Sequence, residues 1–211
     1  MQVLVGCESS GTVREAFRVL GYDAWSCDLL PADDKSPYHI QGDVRDAIRS
    51  RKWDLIILHP PCTALAVSGN RWYGVGKEKH QERIDAIKWT KELFELAQQH
   101  SPRVAMENPV GVLGSMGGLY PAQYVQPWMF GEEASKKTGL WLHGLPCLAP
   151  TNVVGKGEYH TTKSGKRLPS WYNLPPSEDR WKIRSKTFQG LANAMAQQWG
   201  AYCYEHLRTK H

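Results

Sequence analysis

A cysteine and a glutamate of this sequence could act together in covalent catalysis, and each follows an apolar run. Cys62 comes after Leu55–Leu58 and the double proline Pro60-Pro61, which fixes the backbone and delivers the thiol to the end of a strand. Glu107 ends the next apolar run, Arg103–Met106. Because a thiolate can add to an electron-poor carbon, this pattern predicts a cysteine nucleophile with a carboxyl group beside it.

This pair is suited to an unactivated pyrimidine, whose C5 is too weak a nucleophile to take a methyl group directly. Addition of the Cys62 thiolate at C6 makes C5 enamine-like. Glu107 can protonate N3 of cytosine and so make C6 more electrophilic. We expect the pKa of this carboxyl group to be raised by the nearby thiolate in a closed site. The alternatives are an inert buried cysteine and a glutamate that caps a helix or forms an ion pair.

The turn after the first predicted strand, Gln2–Gly6, is made of small residues and precedes a helix over Thr12–Leu20. Backbone amides of such a turn, at a helix N-terminus, can approach a nucleotide-like ligand. Asp28, roughly twenty residues further on at a strand end, is suited to ribose hydroxyls. Asp43 either accepts a hydrogen bond from an adenine amino group or caps a short helix. The candidate ligand contacts are Cys7, Glu8, Ser10, Gly11, Asp28, Leu29, Asp43, Val44 and, from the proline loop, Pro60.

The elements that must position these residues alternate between strands and helices. Apolar runs at Tyr22–Cys27 and Trp53–Leu58 are followed by helical patterns, of which His80–His100 is the longest, and Ser185–Leu207 predicts a final helix. This alternation predicts βαβ units and an α/β fold with a mostly parallel central sheet. Ligands of such sheets bind beyond the carboxyl ends of the strands, which is where the polar residues singled out above fall.

Positive charge is concentrated in the second half of the chain, although the net charge is only +5. Residues 136–186 contain ten Lys or Arg against three acids. We therefore expect a catalytic core over residues 1–143, a basic Pro/Gly-rich insertion over 144–184 that includes Trp171 and Tyr172, and a helix over 185–211 that returns to the core. Charge of this kind favours a polyanionic partner, the alternative being a solvated basic loop. The candidate DNA contacts are Arg71, Lys163, Lys166 and Arg167.

The remaining composition excludes several classes of protein. The five cysteines contain no C-x-x-C pair, so no metal site is expected. No run approaches the roughly 18 apolar residues of a membrane span. The first residues lack the basic region of a signal peptide, and reduced cysteines in the cytoplasm are the expectation.

The ordered motifs of the chain resemble those of the DNA cytosine-C5 methyltransferases. Gly6–Gly11, Asp28, Asp43, Pro60-Pro61-Cys62 and Glu107-Asn108-Pro109 are similar to that family's cofactor turn, two cofactor-binding acids, nucleophile loop and Glu-Asn-Val segment. HPPCTAL, ENPVGVL, KKTGLWLHGLPCLAPT and AMAQQWG resemble small phage and prophage members that lack a large target-recognition domain. The resemblance covers nearly the whole chain. It implies a Rossmann-like fold that binds S-adenosyl-L-methionine (AdoMet), with DNA as the partner and C5 of cytosine as the methyl acceptor.

Some family features are replaced. Thr63 stands where the family has Gln, and Pro109 where it has Val. Instead of the basic Gln-x-Arg-x-Arg motif the chain has Lys136, which we take as the third catalytic candidate, and Gly190–Asn193 replaces the closing Gly-Asn-x-x-Pro motif. Two alternatives stay open: C5 modification of a free pyrimidine nucleotide, and a methyltransferase-like DNA-binding protein without activity. An amino-methylating enzyme is disfavoured by the cysteine after the double proline.

Overall fold

The computed structural model describes residues 1–170, 177 and 184–208. The strands of its main sheet are β1 (Gln2–Gly6), β2 (Asp23–Asp28), β3 (His39–Gln41), β4 (Leu55–Leu58), β5 (Val104–Pro109), β6 (Gln123–Val125) and β7 (Thr138–His143). They lie in the order β3-β2-β1-β4-β5-β7-β6. The first five strands are parallel, whereas β7 runs antiparallel to both β5 and β6. The prediction of an α/β fold with a mostly parallel central sheet is confirmed.

Helices connect most of the parallel strands, and two more follow the last strand. They are α1 (Thr12–Val19), α2 (Val44–Arg49), α3 (Asn70–Tyr73), α4 (His80–His100), α5 (Gln189–Ala194) and α6 (Gly200–Arg208). The predicted helix over His80–His100 is confirmed with the same bounds, and α1 ends one residue earlier than expected. The last predicted helix begins at Gln189 rather than Ser185, and a π-helical turn over Met195–Trp199 joins α5 to α6.

The sheet is buried on both faces, as parallel sheets usually are. On one face, Phe17 of α1 and Trp199 of the C-terminal helices cover alternate residues of β1 and β4. On the other face, residues of α2 and α4, including Ile48 and Phe94, cover the intervening ones. All four residues of β4 are buried, which explains why this strand gives the clearest apolar run in the sequence.

A separate two-stranded sheet follows the main one. It is an antiparallel hairpin of β8 (Tyr159–Thr161) and β9 (Arg167–Pro169). The segment that leads to it lies on the core, because Leu148 is buried and Pro146 accepts a hydrogen bond from the indole of Trp199 at 2.9 Å. Trp171 and Tyr172, predicted to lie among the basic residues, are outside the described residues.

Candidate active site

The carboxyl ends of the parallel strands form one edge of the sheet, and most of the predicted site residues lie there. Glu8 follows β1, Asp28 ends β2, and Glu107 lies near the end of β5. Cys62 lies on the loop after β4, which is the strand between β1 and β5. The chain therefore brings the candidate nucleophile between the turn after β1 and the candidate acid.

The turn after β1 is organised by its own acid. The buried carboxylate of Glu8 accepts the backbone N–H groups of Val13 at 2.7 Å and Arg14 at 3.2 Å. Cys7 and Gly11 adopt positive φ angles of 59° and 70°, which bend the chain back over the start of α1. The amides of Val13 and Arg14 are thus occupied, because the carboxylate of Glu8 lies at the N-terminus of the helix.

The side chains around this turn lie in an acidic environment. Burial raises the pKa of the Cys7 thiol, and the carboxylates of Asp28 and Asp43 raise it further. Asp28 also accepts the N–H of Leu30 at 2.9 Å, while Leu29 is exposed. The hydroxyl of Ser10 lies 3.1 Å from that of Thr12. A cationic ligand is favoured at this edge over an anionic one.

Asp43 caps the helix that follows it. Its carboxylate accepts the N–H of Arg45 at 2.8 Å and pairs with the Arg45 guanidinium. The hydrogen bonds from Arg45 lower the pKa of Asp43 to about 2. Val44, the first residue of α2, is buried. Of the two interpretations left open by the sequence, the structure supports helix capping, and the contact to adenine stays a prediction.

The proline loop is held in place by backbone and side-chain hydrogen bonds. The carbonyl oxygen of Pro60 accepts Nδ2 of Asn108 at 2.9 Å, which joins the loop to β5. The carbonyl oxygen of Cys62 accepts the N–H groups of Leu65 at 3.0 Å and Ala66 at 2.8 Å. Cys62 therefore lies in a tight, hydrogen-bonded turn.

A second attachment follows immediately. The N–H of Val67 donates to Val110 at 3.1 Å, and the N–H of Val112 donates to Leu65 at 2.9 Å. Gly111 lies between Val110 and Val112, and a Cβ atom at this position would lie 2.1 Å from the carbonyl oxygen of Leu65. Glycine is required here because the two backbones meet, and the segment after Cys62 is fixed against the segment after Glu107.

The environment of Cys62 favours the protonated form of its thiol. Burial raises its pKa, and the nearby Glu107 carboxylate raises it further, whereas Lys136 and Arg184 act in the opposite direction. The net effect is a raised pKa. Since the thiolate is the reactive form, Cys62 needs the substrate or a proton acceptor to become a nucleophile.

Glu107 forms a buried ion pair with His59, the residue that directly follows β4. Nδ1 of His59 lies 2.9 Å from Oε2 of Glu107, and both side chains are about nine-tenths buried. Burial favours the neutral carboxyl group, but the hydrogen bond and charge of His59, together with Lys136 and Thr138, lower the pKa of Glu107 below its ordinary value. The expected raised pKa is therefore wrong, because the sequence analysis did not include this partner.

Unpartnered polar atoms occur on His59 itself, on Asn108, which follows Glu107, and on Gln126, which shares a cavity with Glu107. Of six buried side-chain nitrogen or oxygen atoms without a hydrogen-bond partner among the described residues, three are Nε2 of His59, Oδ1 of Asn108 and Oε1 of Gln126. Gln126, Lys136 and Glu107 line one small cavity, and Lys136 donates to the carbonyl oxygen of Arg184 at 2.9 Å. Buried polar atoms are normally paired in native proteins, so this cluster is a candidate site for a polar ligand.

The predicted DNA contacts lie in two exposed places. Arg71 lies on α3, next to Trp72, whose ring is 5.0 Å from the guanidinium. Lys163 and Lys166 are exposed in the β8–β9 hairpin, and Arg167 lies 5.0 Å from the Tyr159 ring. The Tyr159 hydroxyl donates to Ser135, the residue before Lys136, so the hairpin is anchored beside the catalytic candidates.

Sequence reasoning missed His59 and Gln126. His59 carried a usable signal, since it is a titratable residue at the end of a buried strand, as are the acids that were selected. Gln126 carried none, because it follows β6, an antiparallel strand that the sequence pattern did not predict.

Two further features are absent from the described part of the chain. No helix there is long and apolar enough to cross a bilayer. No group of three or more His, Cys, Asp or Glu side chains among the same residues is arranged to hold a metal ion.

The chain matches no protein-family model, and no curated protein matches it. Among solved structures, it is similar to a protein of E. coli proposed to be a DNA modification methyltransferase encoded within a prophage, with 13% identity, a TM-score of 0.49 and coverage of 74% of this chain and 52% of the other. It is also similar to Dnmt2 methyltransferase of S. pombe (14% identity, TM-score 0.42, 70% and 50% coverage). A triple mutant of DNMT2 from Spodoptera frugiperda gives 15% identity, a TM-score of 0.44, and 73% and 54% coverage. The chain spans about half the length of each of these proteins.

Proposed function

We propose that this chain transfers a methyl group from AdoMet to C5 of cytosine in DNA through a covalent bond between Cys62 and C6. The observation that carries the proposal is the fixed turn that holds Cys62 beside the buried carboxylate of Glu107. The carboxylate is close enough to raise the pKa of the thiol. A nucleophile and an acid–base group at the carboxyl edge of a parallel sheet form the arrangement that covalent pyrimidine chemistry needs.

The residues of the turn after β1 fit AdoMet better than a phosphate-bearing cofactor. Glu8 already occupies the N-terminus of α1, so a phosphate would meet a carboxylate rather than free amides. AdoMet has no phosphate and carries a positive sulfonium, which matches the acidic environment of Cys7, Asp28 and Asp43. Contacts would come from Cys7, Glu8, Ser10, Gly11, Asp28, Leu29, Asp43, Val44 and Pro60. AdoMet supplies the electrophilic methyl group when bound.

The chain's own residues prepare the cytosine. Cys62 forms the bond to C6 once its thiol has lost its proton, and Glu107 interacts with N3 so that the ring accepts the added electron pair. Lys136 lowers the pKa values of both groups, and we assign it the role of stabilising their anionic forms. Because C5 and C6 are inaccessible inside a duplex, the target base must leave the stack.

The experiment that tests this function compares substrates. The protein is incubated with methyl-labelled AdoMet and, in parallel, duplex DNA or dCMP, and the DNA is sequenced for 5-methylcytosine. The expected result is label in DNA at C5 of cytosine, with none in dCMP. Label in dCMP alone would support a nucleotide-modifying enzyme, and AdoMet binding without transfer to either would support a protein without activity.

The DNA contacts have their own test. Neutralising Lys163, Lys166 and Arg167 together should weaken DNA binding and flatten its salt dependence by up to about one unit of slope per lost phosphate contact. AdoMet affinity should stay unchanged, because the proposed cofactor residues lie in the first third of the chain. A small hairpin reaches few base edges, so we expect a recognition site of roughly two to four base pairs. Unchanged affinity, or a site of six or more defined bases, would contradict this assignment.

A further inference from the structure

The His59–Glu107 pair differs from every other ion pair in the described part of the chain. Both of its side chains are nearly buried, whereas each of the other pairs has at least one partner more than a third exposed. Removing two charges from water is costly, and well-packed apolar residues usually stabilise a core as well or better. The pair is therefore weak evidence for stability and stronger evidence for a function.

The geometry also argues against a purely structural histidine. Nδ1 of His59 is engaged by Glu107, but Nε2 is buried without a partner among the described residues. A histidine that serves only to hold two strands together would normally have both ring nitrogens satisfied. The backbone N–H of His59 donates to Gly6 at 2.9 Å, so the ring lies between the end of β1 and the acid on β5.

The surrounding charges decide where the proton of this pair resides. Burial lowers the pKa of His59, but the hydrogen bond and charge of Glu107 and the more distant Glu8 outweigh burial and the opposing charge of Lys136, and the net pKa is raised. The pKa of Glu107 is lowered. Both directions favour the proton on the imidazole and a Glu107 carboxylate with no proton of its own for N3.

We propose that His59 is the positioning residue that supplies Glu107 with the proton it delivers to N3 of the target cytosine. The proposal rests on the proposed function. The step begins when the thiol proton of Cys62 passes to solvent water. The sulfur electron pair then forms the bond to C6, the C5–C6 π pair becomes the C4–C5 double bond, and the C4–N3 π pair moves to N3. Glu107 takes the proton on Nδ1 of His59 and passes it to N3. After C5 has gained the methyl group, a water molecule takes the C5 proton, the C5–H pair becomes the C5–C6 double bond, and the C6–S pair returns to Cys62. The N3 proton then returns through Glu107 to His59.

The assignment gives each side chain a distinct part. Glu107 touches the base, and His59 acts through it, both by donating to Oε2 and by fixing the orientation of the carboxylate. A neutral, protonated Glu107 would provide the same proton only if its surroundings raised its pKa, which they do not. Because a protonated His59 beside the carboxylate supplies the proton instead, Glu107 does not need a raised pKa.

The first arm of the test needs no substrate. Labelled histidine in the whole protein is titrated by NMR, with His143→Gln as the control, because His143 is exposed at the opposite end of β5 and β7. We expect His59 to titrate above its ordinary value of 6.5 and to shift downward in Glu107→Gln. If the pKa of His59 lies at or below 6.5 and does not change in Glu107→Gln, the ion pair between His59 and Glu107 is contradicted.

The second arm measures methylation of DNA against pH. The kcat of the wild type should fall as the pH rises through the pKa of His59, since the donor is then lost. We expect His59→Gln to lower kcat on the order of 10²-fold and to remove this limb of the profile, with KM for AdoMet unchanged. His59→Ala should recover part of its rate with added imidazole, and His143→Gln should match the wild type.

The outcomes separate the two proposals. Wild-type protein that transfers no methyl group to DNA contradicts the proposed function, and the relay to N3 falls with it. An active wild type whose His59→Gln variant keeps both the rate and the pH profile overturns the role of His59 alone. Loss of rate in His59→Ala without rescue by imidazole, and with an unchanged pH profile, assigns His59 to structure and also overturns the relay.

Discussion

Two glutamates at the same edge of the sheet show how differently one side chain can be used. Glu8, after β1, and Glu107, on β5, are 5% and 8% exposed. The carboxylate of Glu8 accepts two backbone amides of α1. The carboxylate of Glu107 instead contacts a titratable ring and lies among polar atoms that lack partners. A buried carboxylate at a strand end is therefore no sign of chemistry by itself, and the nature of its partners decides.

The carboxyl edge of the sheet therefore contains two different regions. In the β1 region the carboxylate of Glu8 is held by internal hydrogen bonds, and we propose that this region binds the cofactor. The β4–β5 region keeps unsatisfied groups, and such groups cluster where a ligand completes the site. Variants of the β4–β5 region should affect rate, and variants of the β1 region should affect binding or stability.

The largest effect is expected at Cys62. Cys62→Ala and Cys62→Ser should abolish methyl transfer, because neither side chain can form the bond to C6 at a useful rate. AdoMet binding, measured by calorimetry, should be largely intact. A Cys62→Ala variant that retained more than a small fraction of the wild-type rate would exclude covalent catalysis by this residue.

Glu107→Gln should lower the rate by about 10²–10⁴-fold, as is typical of a positioned acid or base. The amide can still donate a hydrogen bond to N3 but cannot pass on a proton. Single-turnover measurements on the variant beside the wild type would check this. An unchanged rate would show that Glu107, like Glu8, has a structural role and no part in the chemistry.

The same variant should change how stability depends on pH. The lowered pKa of Glu107 stabilises the fold above its ordinary value of 4.5, and this contribution is lost as the pH falls through the lowered pKa. The raised pKa of His59 stabilises the fold below 6.5, and this contribution is lost as the pH rises through the raised pKa. The difference in Tm between wild type and Glu107→Gln should be greatest between pH 4.5 and 6.5. A difference that is flat from pH 4 to 9 would mean that the pair is not charged.

Asp28→Ala should raise KM for AdoMet by about tenfold or more, as expected for loss of hydrogen bonds to a charged group, with a smaller effect on kcat. Steady-state kinetics over a range of AdoMet concentrations would separate the two parameters. The same loss of rate at saturating AdoMet would show that Asp28 does not mainly bind the cofactor.

The smallest effect is expected for Glu8→Gln, which replaces a charged cap of α1 by a neutral one. We expect a loss of about 1 kcal/mol in the free energy of unfolding, within the range of about 0.5–2 kcal/mol for helix caps, and a kcat near that of the wild type. Denaturant unfolding beside activity would measure both. A loss of rate comparable to that of Glu107→Gln would show that Glu8 is not only a helix cap.

Four of the five parallel strands were predictable from the sequence because their signal is local. Buried runs such as Leu55–Leu58 and amphipathic runs such as His80–His100 follow from periodicity within one element. The antiparallel strands β6 and β7 were missed, as was the three-residue parallel strand β3. Strand β6 has three residues, and β7 is nearly as apolar as a parallel strand, so neither shows a regular alternation.

The site was predictable in position but not in chemistry. Placement of Cys62 and Glu107 at strand ends follows from topology. The pKa direction of Glu107 does not, because it depends on a contact with His59 across 48 residues of sequence. The use of Glu8 and Asp43 as caps likewise depends on side-chain direction, which residue spacing leaves open.

The double attachment of the proline loop has a consequence for the energetics of base binding. Between the carbonyl of Pro60, held by Asn108, and Leu65, held by Val112, few residues remain that can move. Ordering a flexible loop on association lowers affinity through lost conformational entropy. Here that entropy is already lost during folding, so the loop is preorganised. An extruded base would meet a thiol whose position is set by the hydrogen bonds of the native state.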